Sequence, residues 1–296
     1  MGLFSRNAGR VAVAGALTIA FSAILVRKAD VAPATAAVFR CAYAIPPLGV
    51  LAWVERRRFG PRTRRDLKLS LWAGAFFAAD LIFWHYAIRD VGAGLATVLG
   101  NLQVVLVAVG AWLTLGERPE PRVVAAVPIA LFGIVLISGV LGSGAYGHDP
   151  LRGVIFGVAT GLTYAAFILV LRQGGRDLRR PVAPLFEATV AAAVFAVLAG
   201  LAIGDVDLAP SWPAHGWLLL LAVSSQVVGW LLISVSLPRL PAALTSVLLT
   251  VQPVGTVILG VILFNEAPSL LQLTGVACIF SGIVVATARR PQRVAA

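Results

Sequence analysis

Long apolar segments alternate with short polar ones along the whole chain. A membrane-spanning helix needs about 20 apolar residues, and ten segments approach that length. Turn-forming pairs such as Gly60-Pro61 and Gly174-Gly175 lie between them. The pattern predicts an all-α integral membrane protein with ten transmembrane helices. The predicted spans are 11–28, 35–54, 69–88, 92–114, 122–140, 152–172, 182–203, 214–236, 241–263 and 270–288.

The ten spans form two groups of five, which predicts two repeats of opposite orientation. A repeat with an odd number of crossings must enter the bilayer from opposite sides in its two copies. We place the repeats at residues 1–145 and 146–296. Their fourth spans match best, because residues 93–117 align without a gap with residues 242–266. Inverted repeats of this kind are typical of secondary transporters.

The composition and the distribution of charge support a membrane location. Hydrophobic residues make up 59% of the chain and charged residues 12%, with a mean hydropathy of +0.91, whereas soluble domains carry about 25% charged residues. The net charge is +11. With a cytoplasmic amino terminus, 19 of the 24 Lys and Arg residues fall on the cytoplasmic side, four fall outside, and Arg40 lies within a span. This follows the positive-inside rule, so we expect a bacterial inner-membrane protein with both termini cytoplasmic and no nucleic-acid partner.

Motifs for catalysis or metal binding are missing from the sequence. It contains no HExxH, no GxSxG and no phosphate-binding glycine loop. Cys41 and Cys278 lie in predicted spans, where neither a disulfide nor a thiolate metal site is expected. We therefore expect no enzymatic activity, no cofactor and no metal. The expected partners are a small-molecule substrate and the lipid bilayer, with the protein as a monomer or homodimer.

Two stretches carry a resemblance to a known family. The first runs from Gly94-Leu-Ala to Gly116-Glu-Arg and is followed by Gly133-Ile-Val-Leu; the second runs from Ala242-Ala-Leu to Asn265-Glu-Ala. Together they resemble the repeat unit of the EamA-type drug/metabolite transporter superfamily. The resemblance covers essentially the whole chain. It implies a ten-helix bundle with a central cavity between its halves, and says little about the substrate.

Four ionisable residues lie within predicted spans: Arg40, Asp80, His85 and Glu187. A charge near the membrane centre costs about 2.5–3.5 kcal/mol, so it usually faces a partner or a wet cavity. Asp80 lies deepest in the membrane of the four. It shares a helix face with Trp84, and the next residue, His85, lies beside that face. This stripe predicts a site for an amphipathic solute with an ammonium group, or a packing contact between Asp80 and Arg40. Arg40 and Glu187 lie near opposite ends of the bundle, where they predict either gates or side chains that reach the interface.

Uncharged polar residues at the predicted midplane are also candidates. Gln103 and Gln252 occupy equivalent positions in the two repeats, at the depth where such carriers bind their solutes. Their amides predict either ligand contacts or a clamp between repeats worth about 0.6 kcal/mol. Pro253 frees the carbonyl of Leu249, and Tyr164 adds a hydroxyl from the sixth span.

Two further patterns predict packing rather than binding. Gly153, Gly157 and Gly161 form a stripe of small residues, which predicts a close helix contact. Glu117 and Glu266 each precede prolines at the start of the next helix. Because anions are favoured at helix N-termini, we predict that both cap the helix that follows them.

The sequence therefore supports a secondary transporter that exports small metabolites by alternating access. Amino acids, aromatic and neutral ones included, are the favoured substrates. Cationic drugs or purines are the alternative, and an intramembrane enzyme or a lipid scramblase is the interpretation of a different class. The predicted substrate-binding residues are Asp80, Trp84, His85, Gln103, Tyr164 and Gln252. The predicted gate or charge-partner residues are Arg40 and Glu187.

Overall fold

The computed structural model describes residues 8–103, 105–107, 121–137, 141, 146–236, 239 and 251–287. Within these ranges every regular element is helical, and six helical stretches are long and apolar enough to cross a membrane. This confirms the predicted all-helical membrane protein with several apolar spans. Parts of four predicted spans, residues 104, 108–114, 138–140, 241–250 and 288, lie outside the described residues, as do Glu117 and Leu249. The six stretches are Ala8–Ala29, Pro33–Phe59, Arg64–Gly100, Pro150–Gly174, Val182–Ile203 and Ala214–Ser236.

The helices begin and end at residues that favour those positions. Pro33 starts one helix, Thr63 caps another through a hydrogen bond from the Asp66 N–H (3.1 Å), and Gly204 ends a third with a left-handed φ of 75°. The described helices are α1 (Ala8–Ala20), α2 (Ser22–Ala29), α3 (Pro33–Phe59), α4 (Arg64–Gly100), α5 (Pro121–Ile137), α6 (Pro150–Gly174), α7 (Val182–Ile203), α8 (Ala214–Leu221), α9 (Trp230–Ser236), α10 (Val251–Phe264) and α11 (Leu270–Thr287), with a π-helical segment, Ala222–Gly229, between α8 and α9.

The chain reverses direction inside α4 at Gly92, where φ is 85° and ψ is 167°. Close approaches to α6 show the reversal. The approaching pairs are Gly174–Ser70, Gly153–Val91, Gly157–Leu99 and Gly161–Leu102. From Gly174–Ser70 to Gly153–Val91 the residue number falls in α6 while it rises in α4. From Gly157–Leu99 to Gly161–Leu102 it rises in both. Residues 64–91 are thus antiparallel to α6 and residues 93–100 parallel to it, so α4 contains the whole predicted span 69–88 and the beginning of the predicted span 92–114.

The two ends of the bundle differ in charge. Arg56, Arg57, Arg58, Arg62 and Arg180 gather where α3 ends and where α4 and α7 begin. We call this the arginine-rich end. The opposite end holds the Gly92 reversal and the segment before α6, where the Asp149 N–H donates to the Asp90 carbonyl at 3.2 Å.

Small residues bring helices of the two halves into close contact. A Cβ atom at Gly15 of α1 would lie 3.0 Å from the Gly229 carbonyl oxygen, and one at Gly74 of α4 would lie 2.4 Å from the Ala188 carbonyl oxygen. In the predicted α6 stripe, a Cβ at Gly157 would lie 2.6 Å from Leu99 Cβ. The predicted close helix contact of this stripe is confirmed, and small residues are what allow such approach in membranes.

Glu266 caps the helical segment that follows Gly92. Its carboxylate accepts hydrogen bonds from the backbone N–H groups of Ala93 at 2.8 Å and Gly94 at 3.1 Å, and Arg27 donates to it. Helix N-termini expose unpaired N–H groups and carry the positive end of the helix dipole. A buried carboxylate of the second half therefore stabilises a helix start in the first half.

The prediction that Glu266 caps the helix following it is wrong. Asn265 has a left-handed φ of 50°, and the Glu266 N–H donates to the Gly260 carbonyl at 3.2 Å. The chain therefore folds back, and a Cβ at Gly260 would lie 2.4 Å from Glu266 Oε2. Ser269 takes the capping position of α11, where its hydroxyl accepts from the Gln272 N–H at 3.2 Å. Glu117 lies outside the described residues.

We expect Gly157→Ala to destabilise the protein and Gly161→Ala to leave it unchanged or slightly more stable. The added methyl at residue 157 meets Leu99 Cβ at 2.6 Å, whereas at residue 161 the nearest atoms are 3.4 Å away. Overpacking costs about 1–3 kcal/mol, while alanine gains up to about 1 kcal/mol over glycine in a helix. Unfolding of the purified protein in mixed detergent micelles measures both. Equal stability of the two variants would show that α4 and α6 do not pack this tightly.

Candidate functional site

Side chains from both halves of the chain converge on one buried cavity. It encloses about 60 Å³, which is room for a few water molecules. Helices α1 to α4 supply one side, and α6, α9 and α10 supply the other. The cavity is lined by Ile19, Ser22, Arg40, Phe77, Asp80, Leu81, Trp84, Thr97, Gly100, Asn101, Thr160, Tyr164, Trp230 and Gln252.

Two opposite charges line this cavity. Arg40 of α3 is 3% exposed and Asp80 of α4 is 6% exposed. Both residues are described, and no ion pair within 4.0 Å joins them. Charges that are buried usually have partners or face a ligand. A guanidinium and a carboxylate that share one cavity without closing on each other can each bind the opposite charge of a solute.

A π-helical segment holds the arginine in place. Arg40 Nε donates to Gln226 Oε1 at 3.1 Å, and Gln226 Nε2 donates to the Thr189 hydroxyl at 3.2 Å. Gln226 lies within the π-helical turn Ala222–Gly229, and such turns are frequent at functional sites. Among the described residues, Gln226 is the hydrogen-bond partner of Arg40, and no pattern in the sequence predicts this turn.

Aromatic rings form the apolar wall of the cavity. Phe77 stacks on Phe167 with ring centroids 4.4 Å apart, and Trp230 meets Phe77 edge-on at 5.7 Å and Tyr164 at 6.0 Å. The Arg40 guanidinium carbon lies 5.8 Å from the ring centroids of both Phe77 and Trp84. These contacts give the cavity an apolar surface that also tolerates cations.

Three buried polar atoms at the cavity have no hydrogen-bond partner in the described part of the chain. They are Trp230 Nε1, Gln252 Nε2 and Asn101 Oδ1. The amide nitrogen of Asn101 donates to the Thr97 carbonyl at 2.9 Å, which fixes the orientation of its oxygen. An unpaired buried polar group costs about 1–3 kcal/mol. Two donors and one acceptor are thus positioned to bond a polar solute.

The structure brings five of the predicted residues together and separates three. Arg40, Asp80, Trp84, Tyr164 and Gln252 line the cavity. Gln103 is buried but does not line the cavity, although Gln252, its equivalent, does. Glu187 lies at the arginine-rich end. Phe77, Thr97, Asn101 and Trp230 also line the cavity. By sequence Trp230 fits cavity lining and packing equally well, because it lies well inside its predicted span, and Phe77 shares the helix face of Asp80.

His85 faces a second space rather than the cavity. It lines a vestibule of about 650 Å³ at the opposite end, together with Arg27, Arg89, Gly92 and Tyr146. Its Nδ1 atom lies 3.0 Å from the Pro33 carbonyl oxygen, and its Nε2 atom has no partner among the described residues. The predicted stripe of Asp80, Trp84 and His85 is therefore divided between two spaces.

Each end of the bundle has an ion pair that joins the two halves. At the opposite end Arg27 pairs with Glu266, and Arg27 lies over the ring of Phe264 at 4.3 Å. At the arginine-rich end Arg62 pairs with Glu187 and donates to the Ser70 hydroxyl at 3.0 Å. The cavity lies between the two pairs.

The loop before α7 is held by charge as well. Hydrogen bonding to Arg179 lowers the pKa of Asp177 from its ordinary 3.8 to about 2. Arg180, next along the chain, donates to the carbonyls of Gly60 at 3.0 Å and Pro61 at 3.1 Å. Arg180 therefore ties the loop before α7 to the loop between α3 and α4.

Comparison with known proteins places the chain among transporters. The profile of the EamA-like transporter family matches residues 10–139 and again residues 151–288. An uncharacterized transporter of Archaeoglobus fulgidus is 26% identical over 178 residues, which are 58% of this chain and 59% of that protein, so the match spans less than two thirds of the relative. Uncharacterized transporter YxxF of Bacillus subtilis is 23% identical over 261 residues, 85% of this chain and 80% of that protein.

A solved crystal structure shares the fold. It superposes with a TM-score of 0.64 at 17% sequence identity, covering 95% of this chain and 96% of that chain. The whole described bundle therefore follows an architecture already seen in an experimental structure.

We expect Arg40 and Asp80 to be coupled in stability. Arg40→Gln leaves a lone buried carboxylate and Asp80→Asn leaves a lone buried guanidinium, whereas the double variant leaves neither. The double variant should therefore be more stable than the sum of the single effects predicts, by about 0.5–3 kcal/mol. Unfolding in mixed micelles measures the four proteins of the cycle.

The matched control combines Arg40→Gln with Glu187→Gln. Because Glu187 pairs with Arg62, this second cycle should be additive within about 0.5 kcal/mol. Additivity in the Arg40 and Asp80 cycle as well would show that the two cavity charges act independently.

Proposed function

Because this chain belongs to the EamA-like transporter family, we propose that it is a secondary exporter of amino acids, aromatic and neutral ones first, which works by alternating access in the bacterial inner membrane. The family makes it a membrane transporter and not an enzyme. One observation supports the substrate: Arg40 and Asp80 line the same aromatic cavity without forming an ion pair.

An amino-acid zwitterion matches the chemistry of this cavity. The Arg40 guanidinium, oriented by Gln226 through Nε, offers its other N–H groups to the α-carboxylate, and charge-assisted bonds of this kind are strong. Asp80 accepts from the α-ammonium group. The side chain of the substrate packs against Phe77, Tyr164 and Trp230, which favours aromatic and other apolar amino acids.

Transport requires the cavity to widen and to open at one end at a time. Its volume of about 60 Å³ holds a few waters and not an amino acid, so its walls move apart when a substrate binds. We assign the Arg62–Glu187 pair to the closed arginine-rich end and the Arg27–Glu266 pair to the closed opposite end. By the positive-inside rule the arginine-rich end is cytoplasmic, so Glu187 belongs to the entry gate.

Export of cationic drugs is the second candidate. Asp80 beside Trp84 and Phe77 is a favourable environment for an organic cation. Arg40 in the same cavity opposes it, because a like charge in a low-dielectric site repels the ligand. The two candidates therefore differ in whether the substrate needs a carboxylate.

We expect liposomes that contain only the purified protein to take up labelled phenylalanine with saturation. Asp80→Asn should weaken apparent phenylalanine affinity about 10- to 100-fold and abolish competition by phenethylamine, which has only the ammonium group. Arg40→Gln should weaken affinity as much and abolish competition by 3-phenylpropionate, which has only the carboxylate. Each loss follows from removing one charge-assisted hydrogen bond, worth about 1.5–3 kcal/mol.

Asp177→Asn is the matched control, because it removes a carboxylate from an exposed loop pair and should leave flux unchanged. Flux of a quaternary ammonium dye without phenylalanine flux would favour drug export. Flux of a purine alone would favour that substrate, and movement of labelled phospholipid between leaflets without solute flux would favour a scramblase. Phenylalanine flux that neither cavity variant alters would contradict the proposed site.

We expect the Arg62–Glu187 and Arg27–Glu266 ion pairs to control access from opposite sides. The background is Asn101→Cys with Cys41 and Cys278 replaced by serine, so that the cavity carries one thiol. Glu187→Gln should raise labelling by a membrane-impermeant maleimide from the arginine-rich side about tenfold or more, since bonds to charged groups contribute about 1.5–3 kcal/mol. Glu266→Gln should raise labelling by the same maleimide from the opposite side of the membrane.

Both variants replace a carboxylate with an amide of the same shape. Because Glu266→Gln also weakens the cap at Ala93 and Gly94, the side from which labelling increases, and not its amount, separates the two gates. Labelling is measured in vesicles of each orientation. An increase from both sides in either variant would indicate general loosening of the bundle and would contradict the assignment of gates.

A further inference from the structure

A groove lies on the outside of the bundle at the arginine-rich end. It runs between α3 and α7, beside the start of α4, and encloses about 550 Å³. Small-molecule sites in proteins span about 300–1,000 Å³, so the groove is large enough for an organic ligand. It is lined by Gly49, Ala52, Trp53, Arg56, Gly60, Pro61, Arg62, Leu67, Arg180, Ala183, Phe186 and Glu187.

The wall of the groove that points toward the membrane core is apolar. Gly49 and Ala52 of α3 face Phe186 of α7, and a Cβ at Gly49 would lie 3.2 Å from the Phe186 ring. The absence of a side chain at Gly49 lets the Phe186 ring pack against α3, and with Ala52 these residues form an apolar wall of the groove. Trp53 is 55% exposed at the same level, which is the position of a tryptophan at the membrane interface.

The mouth of the groove is basic, and part of that charge has no protein partner. Arg62 is already paired with Glu187, and Arg180 with loop carbonyls. Arg56 is exposed, and its side chain has neither an acidic nor a hydrogen-bond partner among the described residues. The guanidinium of the neighbouring Arg57 lies 4.5 Å above the Trp53 ring.

The acidic residue nearest to these arginines in the chain is occupied elsewhere. Glu55 accepts hydrogen bonds from the backbone N–H groups of Val182 at 3.0 Å and Ala183 at 2.8 Å. It therefore caps the N-terminus of α7 and forms no ion pair with Arg56. The positive charge of Arg56 is thus left without an acidic partner, within the described part of the chain, beside the apolar wall of the groove.

We propose that this groove binds an anionic phospholipid. Arg56, which lines the groove, holds the phosphate together with Arg57, whose guanidinium lies over the Trp53 ring at the edge of the groove. Trp53 lies at the glycerol level, and one acyl chain lies along Ala52 and Phe186. Basic pockets between transmembrane helices bind anionic lipid headgroups, and guanidinium groups suit phosphate oxygens.

A phospholipid has a group for both the basic mouth and the apolar wall of the groove, whereas other ligands have a group for only one of them. A soluble phosphate or a substrate carboxylate has no group for the apolar wall that Ala52 and Phe186 form. A second copy of this chain would have to bring an acidic surface to Arg56 and Arg57. The groove shares no lining residue with the central cavity, and Trp53 at its edge is exposed, so we infer that its ligand comes from the bilayer.

Quenching of Trp53 fluorescence tests the proposal directly. The purified protein in a nonionic detergent is titrated with phosphatidylglycerol that carries brominated acyl chains, and with phosphatidylcholine that carries the same chains. Subtracting the signal of Trp53→Phe isolates the response of Trp53. We expect phosphatidylglycerol to quench at a lower mole fraction than phosphatidylcholine, and Arg56→Gln/Arg57→Gln to weaken its binding by about 25-fold, fivefold for each arginine.

The control variant is Arg64→Gln/Arg65→Gln, which removes the same charge from exposed residues of the arginine-rich end that do not line the groove. It should keep the preference for phosphatidylglycerol. Equal quenching by both lipids, or equal losses in the two double variants, would overturn the proposal. So would displacement of the lipid by millimolar inorganic phosphate, which would indicate a soluble anion site. A dimer that dissociates in the Arg56→Gln/Arg57→Gln variant would indicate that a second copy occupies the groove.

Discussion

The bonds made by the Glu266 carboxylate are the constraint on which the cavity depends. Glu266 accepts from the N–H groups of Ala93 and Gly94 and from Arg27. It thereby fixes the start of the helical segment that carries Thr97 and Asn101 into the cavity. Gly92 makes this possible, since its φ of 85° suits glycine and a Cβ there would lie 2.9 Å from the Glu266 side chain. One carboxylate thus joins the two halves and positions part of the binding surface.

The cavity keeps polar groups that a purely structural core would satisfy. Trp230 Nε1, Gln252 Nε2 and Asn101 Oδ1 have no partner among the described residues, and Arg40 and Asp80 remain apart. Each such group lowers the stability of the empty protein. The fold compensates with close packing elsewhere, as where α4 meets α6 at Gly157 and α7 at Gly74.

The positions of the described spans could be predicted because the bilayer fixes their length. The helix α7, at Val182–Ile203, coincides with its predicted span, whereas α3, at Pro33–Phe59, extends beyond its predicted span at both ends. The glycine stripe of α6 also identified its own contact. Sequence periodicity placed His85 one step from Trp84, but that step of about 100° turns it into the vestibule. The role of Gln226 could not be predicted, because a π-helical turn has no local signature. The role of Glu266 could not be predicted either, because its partners lie more than 170 residues away in the chain.

That separation has a consequence for the order in which the protein is made. The segment after Gly92 leaves the ribosome long before Glu266, which lies 173 residues beyond Ala93. Until the second half is synthesised, the backbone donors of this helix start have no carboxylate to bond. A second contact has the opposite order. The carboxylate of Glu55 is synthesised before the start of α7, which it caps. The first half therefore enters the membrane unfinished, and the binding surface forms only once nearly the whole chain has been translated.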